Sequence, residues 1–163
     1  MAWARGEMAA RNSKKVMLTL EKFLNTGFDK ETAVKLLNSY LLVGKEEENF
    51  ATLDVAIFDP NTCEVEFVKV SACPTLIKES GKLKKVESMS LPIGIIDDID
   101  VDLKAEKLKK GDFFIMTTDG VFDTSSKLPE ERTIDALAKQ IKSEEPQRLA
   151  DIIMQEMLDA TYG

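Results

Sequence analysis

Histidine is absent from the 163 residues of this chain. That removes Ser-His-Asp and Cys-His catalysis and every histidine-held metal site. Any chemistry falls to carboxylates, lysines, hydroxyls, backbone groups or a hard cation. Cysteine is scarce: Cys63 and Cys73 form no CxxC pair and are too few for a disulfide framework. Their strand-like apolar surroundings predict two buried free thiols. The single tryptophan, Trp3, stands near the end of the chain and says little. No apolar run approaches the ~20 residues that span a bilayer, and the N-terminus lacks a signal-peptide apolar stretch, so a soluble, cytoplasmic chain is expected. Positive charge is also short. Lys plus Arg number 22 against 29 Asp plus Glu, a net charge of −7, and no basic cluster is dense enough to face nucleic-acid phosphates.

What is present suits one globular domain over residues 1–163, with 44% apolar and 31% charged residues. Apolar spacing predicts a helix from Gly6 to Asn25, carried by Met8, Val16, Leu20, Phe23 and Leu24 and stopped at Gly27. Asp29 is placed to cap a second helix, with Phe28 and Ala33 positioned as a hydrophobic staple. Its buried stripe is read as Ala33, Leu36, Leu37, Tyr40 and Leu41, ending at Gly44, and Glu46-Glu47-Glu48 as a solvated loop.

The period then shortens to two. Leu53, Val55 and Ile57 alternate with polar or small neighbours, Asp59-Pro60-Asn61-Thr62 turns the chain, and Cys63, Val65 and Phe67 return as the second arm of a hairpin. Short strands are expected near Thr75–Lys78 and Leu83–Val86, joined by Glu79-Ser80-Gly81-Lys82. Leu91-Pro92-Ile93-Gly94 reads as a fixed loop and Val101–Glu106 as a strand. After a turn at Gly111-Asp112, Phe113–Met116 reads as a buried central strand. Ile134, Leu137, Ala138 and Ile141 mark a helix, and Pro146 opens another that buries Leu149, Ile152, Ile153 and Met157. Two helices, antiparallel strands and two more helices make an α+β domain with helices packed on sheet faces.

The segment with the most chemical content runs from Phe113 to Asp123. A strand would deliver Asp119 at its end, and Gly120 would let the backbone turn sharply beside it, which suits a carboxylate held in place for Mg²⁺ or Mn²⁺. Taken alone, Asp-Gly is more often simply a turn. Asp123 is either a supporting acid or a surface one. Lys104, Lys107, Lys109 and Lys110, and likewise Asp97, Asp98 and Asp100, read as solvated faces. Neither a GxGxxG nor a GxSxG pattern occurs.

Several segments, in order, resemble the phosphatase domain of the stage II sporulation protein E family, within the metal-dependent 2C-type superfamily. They are residues 6–15 (Gly6-Glu7-Met8-Ala9-Ala10 onward), Phe50-Ala51-Thr52-Leu53-Asp54, Ser71-Ala72-Cys73-Pro74, Leu91-Pro92-Ile93-Gly94-Ile95, Gly111-Asp112 and Thr118-Asp119-Gly120-Val121-Phe122-Asp123. The resemblance implies an α/β sandwich of antiparallel sheets with helices outside. It implies two Mn²⁺ or Mg²⁺ ions whose activated water attacks a phosphoserine or phosphothreonine. It also implies a phosphorylated anti-anti-sigma factor as substrate. Asp119 matches a metal-binding aspartate of the family, with the Gly120 backbone beside it.

The family's Asp-Gly-Met-Gly loop falls in register on Met1, Ala2, Trp3 and Ala4, and its closing Asp-Asp-x-Thr segment is expected after Gly163. The resemblance therefore implies the central portion of a domain, without the N-terminal metal-loop strands and the C-terminal strand. It is expected to be incomplete in catalysis, weak in Mn²⁺ binding and prone to self-associate, for instance as a homodimer, through open sheet edges. A rigid-body shift of the first two helices is a candidate switch for the metal site, and covering the sheet is the plainer role. Thr52 and Ser71 occupy motif positions that packing alone can explain. The competing function is a non-catalytic interaction or dimerisation module.

Overall fold

The computed structural model describes residues 2–44, 50–80, 82–126, 128, 133–140 and 146–162; side chains before residue 10 and those of 122, 126, 140 and 162 are not described. Glu46-Glu47-Glu48, Gly81 and Ile141, and the side chains of Trp3 and Met8, lie outside the described set. The elements are α1 (Ala2–Asn25), α2 (Lys30–Val43), β1 (Leu53–Asp59), β2 (Glu64–Val70), β3 (Thr75–Glu79), β4 (Lys82–Val86), β5 (Asp102–Lys107), β6 (Phe113–Ile115), α3 (Asp119–Ser126), α4 (Ile134–Gln140) and α5 (Pro146–Tyr162). Among the described residues, two three-stranded sheets form, in the orders β1-β2-β5 and β4-β3-β6. Helices and antiparallel strands are both present, as expected of an α+β chain.

The chain divides into two compact units. The first comprises residues 1–56, 66–72 and 88–104. Here α1 ends where Gly27 takes φ 94°, a left-handed conformation that glycine adopts without steric cost. Asp29 then caps α2, its Oδ1 accepting the Thr32 amide at 3.0 Å. The Thr32 hydroxyl and amide hold the Asp29 carboxyl below its ordinary value. Val16 and Leu20 of α1, Ala33, Val34, Leu37 and Leu41 of α2, Leu53, Val68, Val70, Ile93 and Ile99 form one buried cluster.

The face α2 buries differs from the expected stripe. Val34 and Asn38 are inside, Leu36 is half-buried and Tyr40 is exposed. The i, i+3, i+4, i+7 set is Val34, Leu37, Asn38 and Leu41, and a stripe drawn through apolar residues alone passes over the asparagine. Phe28 also stays exposed, its ring edge-on to Phe23 with centroids 6.2 Å apart.

The loop after β4 is as fixed as its sequence suggests. Ile93 exchanges both backbone hydrogen bonds with Ala51, at 2.9 and 3.0 Å, and Gly94 turns the chain at φ 89°.

The second unit comprises residues 57–65, 73–87 and 105–163. β3 pairs antiparallel with β4 from Thr75↔Val86 to Glu79↔Lys82, and with β6 from Leu76↔Ile115 to Lys78↔Phe113. The central strand is therefore β3, whose Thr75, Leu76 and Ile77 are buried. β6 lies at the end of the order with each residue half-buried, a correction to the reading of Phe113–Met116 as central. The short apolar run that reads as central belongs to a strand paired on one side among the described residues. Leu76 joins Ile134, Leu137, Ala138, Leu149, Ile153 and Met157 in the core of this unit, so α4 and α5 bury the expected residues except Ile152, which is half-buried, and Ile141, which lies outside the described set.

Asp112 ties two turns of this unit together. Its Oδ1 accepts the Ser80 amide at 3.0 Å and its Oδ2 the Lys109 amide at 2.8 Å. These bonds, that from Ser80 foremost, hold its carboxyl below the ordinary value. A depressed folded pKa contributes stability that is full above the ordinary value of 3.8 and is lost as pH falls through the folded value. Asp112→Ala is expected to cost about 1 kcal/mol at neutral pH, and Asp112→Asn to shallow the acid limb of the stability curve. Urea denaturation across pH 2 to 7 checks both.

The thiols overturn an expectation. Cys63 is exposed and Cys73 half-buried, and neither is in a disulfide. Cys63 takes φ 58° in the turn where Asp59 accepts its amide at 2.8 Å, so it precedes β2 rather than alternating within it. Cys63 is expected to react with an aromatic disulfide reagent faster than Cys73, and Cys63→Ser to remove the fast phase of labelling.

Candidate functional site

Asp119 does not stand at the tip of a strand. β6 ends at Ile115, residues 116–118 carry the chain onward, and Asp119 opens α3. Its side chain is exposed, with Oδ1 accepting the Gly120 amide at 2.8 Å. An acid in the first turn lies at the positive end of the helix dipole. The Thr124 hydroxyl donates back to the Gly120 carbonyl at 2.8 Å, closing the turn.

Gly120 makes no left-handed turn. It is not among the positive-φ glycines, and a Cβ added there would meet nothing within 4 Å. Helix geometry, open to any residue, accounts for the bend attributed to glycine. Asp123 is exposed on the same helix. Thr117 places a buried hydroxyl two residues before Asp119 with no hydrogen-bond partner among the described residues.

The remaining candidates stay apart. Asp97, Asp98 and Asp100 are exposed, as are Lys104, Lys107, Lys109 and Lys110, with Lys107 3.9 Å from Glu64. Thr52 is exposed. Ser71, at φ 53°, donates its amide to the hydroxyls of Ser88 at 2.9 Å and Ser90 at 3.1 Å, an anchoring role for a loop. A cavity of about 430 Å³ between β6 and α5 is lined by Phe113, Ile115, Met116, Leu149 and Ile153 but not by Asp119. Among the described residues, no group of three or more acidic or thiol side chains is placed to hold a metal ion.

Four polar side chains are buried among the described residues, Thr75 and Ser125 beside the two that follow, and their burial was missed. Lys69 is fully buried in β2 and pairs with the half-buried Asp54 of β1 at 2.6 Å. Its signal was the strand period, which puts Lys69 on the same face as Val65 and Phe67. Asn38 is the other, at the centre of the α2 face.

Comparison with solved structures defines the class. The PP2C phosphatase domain, with a fragment of the regulatory domain, of the cell fate determinant SpoIIE from Bacillus subtilis matches with a TM-score of 0.78 and 35% identity. The match covers 93% of this chain and 45% of that one. A crystal form of the same phosphatase domain without domain swapping matches with a TM-score of 0.71 and 34% identity, over 97% of this chain and 70% of that one. The fold is that of a PP2C phosphatase domain. Stage II sporulation protein E of Bacillus subtilis (strain 168) is 35% identical over 159 residues, which are 97% of this chain and 19% of the relative. The chain thus spans about a fifth of that relative's length. The model of the family Stage II sporulation protein E (SpoIIE) matches residues 5–163, and the chain belongs to this family.

Proposed function

We propose that this chain is part of a metal-dependent serine/threonine phosphoprotein phosphatase of the sporulation type, acting on a phosphorylated anti-anti-sigma factor. The reading is supported by family membership over nearly the whole chain and by one observation above all. Asp119, the acid of the Thr118-Asp119-Gly120 segment, stands exposed at the opening of α3, where its carboxylate is open to a ligand.

Mn²⁺ and Mg²⁺ take hard oxygen donors, and Asp119 is such a donor. One carboxylate does not hold two ions, and the described residues assemble no larger set. The donor set at hand does not fit a two-metal centre, so Asp119 is proposed as one ligand of a centre completed by residues outside this set. The chain by itself is accordingly proposed to bind Mn²⁺ weakly and to turn over little substrate.

The test uses a chimera in which this chain replaces the matched part of the related Bacillus subtilis phosphatase domain. Mn²⁺-dependent release of phosphate from a phosphoserine anti-anti-sigma factor is the expected result. A folded chimera without Mn²⁺-dependent turnover would overturn the reading in favour of a non-catalytic interaction module.

A further inference from the structure

Asn38 lies in α2 on a face otherwise made of Val34, Leu37 and Leu41, and it is fully buried. A buried side-chain amide is costly unless its donors and acceptor are satisfied. All the partners of this one lie on a single loop 56 to 59 residues away in the chain. Nδ2 donates to the carbonyls of Ile96 at 2.8 Å and Asp97 at 3.1 Å, and Oδ1 accepts the Gly94 amide at 2.7 Å. The loop is bounded by Ile93, bridged to Ala51, and by Ile99, and both isoleucines belong to the same buried cluster as the α2 face. Between these anchors, Ile95 and Ile96 remain exposed, at 47% and 40%.

We propose that Asn38 is a latch that makes α2 and the loop from Ile93 to Ile99 one conformational body. A displacement of α2 then carries the exposed Ile95-Ile96 segment with it. The physical reason is geometric. Three hydrogen bonds between one side chain and the backbone of residues 94, 96 and 97 cannot be kept if either element moves alone. Breaking them singly leaves a buried amide unsatisfied. The inference goes beyond the proposed function and does not depend on it.

Native-state amide exchange on the full chain tests the latch. In the unaltered protein, the Gly94 amide is expected to exchange with the same protection as the amides of Leu37 to Leu41, within about 3-fold. Asn38→Ala is expected to speed exchange at Gly94, at Ile93 and along α2 together, by at least about 10-fold relative to Ile153 in α5. Ile93→Ala, which loosens the loop from its far side, is expected to speed α2 as well. The latch is overturned if Asn38→Ala frees the loop amides while α2 keeps its protection, or if Ile93→Ala leaves α2 unchanged. Should Asn38→Ala not fold, protection at Gly94 more than about 10-fold below that of α2 in the unaltered protein overturns it equally.

Discussion

The Asp119→Asn substitution in the active chimera is expected to lower Mn²⁺-dependent phosphoserine hydrolysis on the order of 100-fold or more while leaving the protein folded. Asparagine keeps the shape of the side chain and its bond from the Gly120 amide but removes the charge that a divalent cation requires. The stability change should be small. Asp119 is exposed, and an acid in the first turn of a helix is worth only about 0.3–1 kcal/mol. A thermal midpoint within a few degrees of the parent, beside a collapse of turnover and a weakened Mn²⁺ response, is the signature of a lost ligand. Unchanged turnover would remove Asp119 from the chemistry. Gly120→Ala is the natural companion. Its Cβ enters open space on a helical backbone, so any loss of turnover there reports on the approach of substrate or ion rather than on folding.

The second large effect concerns stability. Asp54→Ala takes the paired carboxylate from a fully buried Lys69 and is expected to cost about 3 kcal/mol, the order found when one member of a buried ion pair is removed. Adding Lys69→Met should recover a large part of that loss, since the methionine refills the volume without a charge. Urea denaturation of the two single variants and the double variant measures the coupling. A double variant less stable than Asp54→Ala would show that Lys69 contributes by means other than this pair.

The pH response carries the sign of the Asp54 environment. Burial pushes the Asp54 carboxyl up by more than its bond to Lys69 pulls it down. Ionisation of Asp54 therefore opposes folding as pH rises from its ordinary value of 3.8 through the raised folded value. Asp112 works in the opposite sense below 3.8. Acid titrations of Asp54→Asn and Asp112→Asn should consequently differ in sign.

Much of the fold was legible because local rules and tertiary packing agree. Gly27 and Asp29 punctuate the first two helices, Pro146 opens α5, and Ile93-Gly94 forms a fixed loop, each for a reason contained in a few neighbouring residues. The misreadings arose from local turns as well as from partners distant in sequence. Cys63 reads as a strand residue until the turn claims it at positive φ. Phe113 to Ile115 read as a central strand until pairing puts β3 between β4 and β6. Asp119 was legible as a candidate ligand, but its place at the start of a helix was not, since a three-residue connection after β6 separates it from the strand.

By itself, the order of residues determined which segments are helical or extended apart from α3, where most of them stop, and that no histidine chemistry is available. It also held the ordered segments that mark the family. Tertiary structure alone decided which groups receive the buried Lys69 and Asn38, because a polar side chain can enter a core only where a partner waits to receive it. Those partners, the carboxylate of Asp54 and the backbone of residues 94–97, lie 15 and more than 50 residues away in the chain.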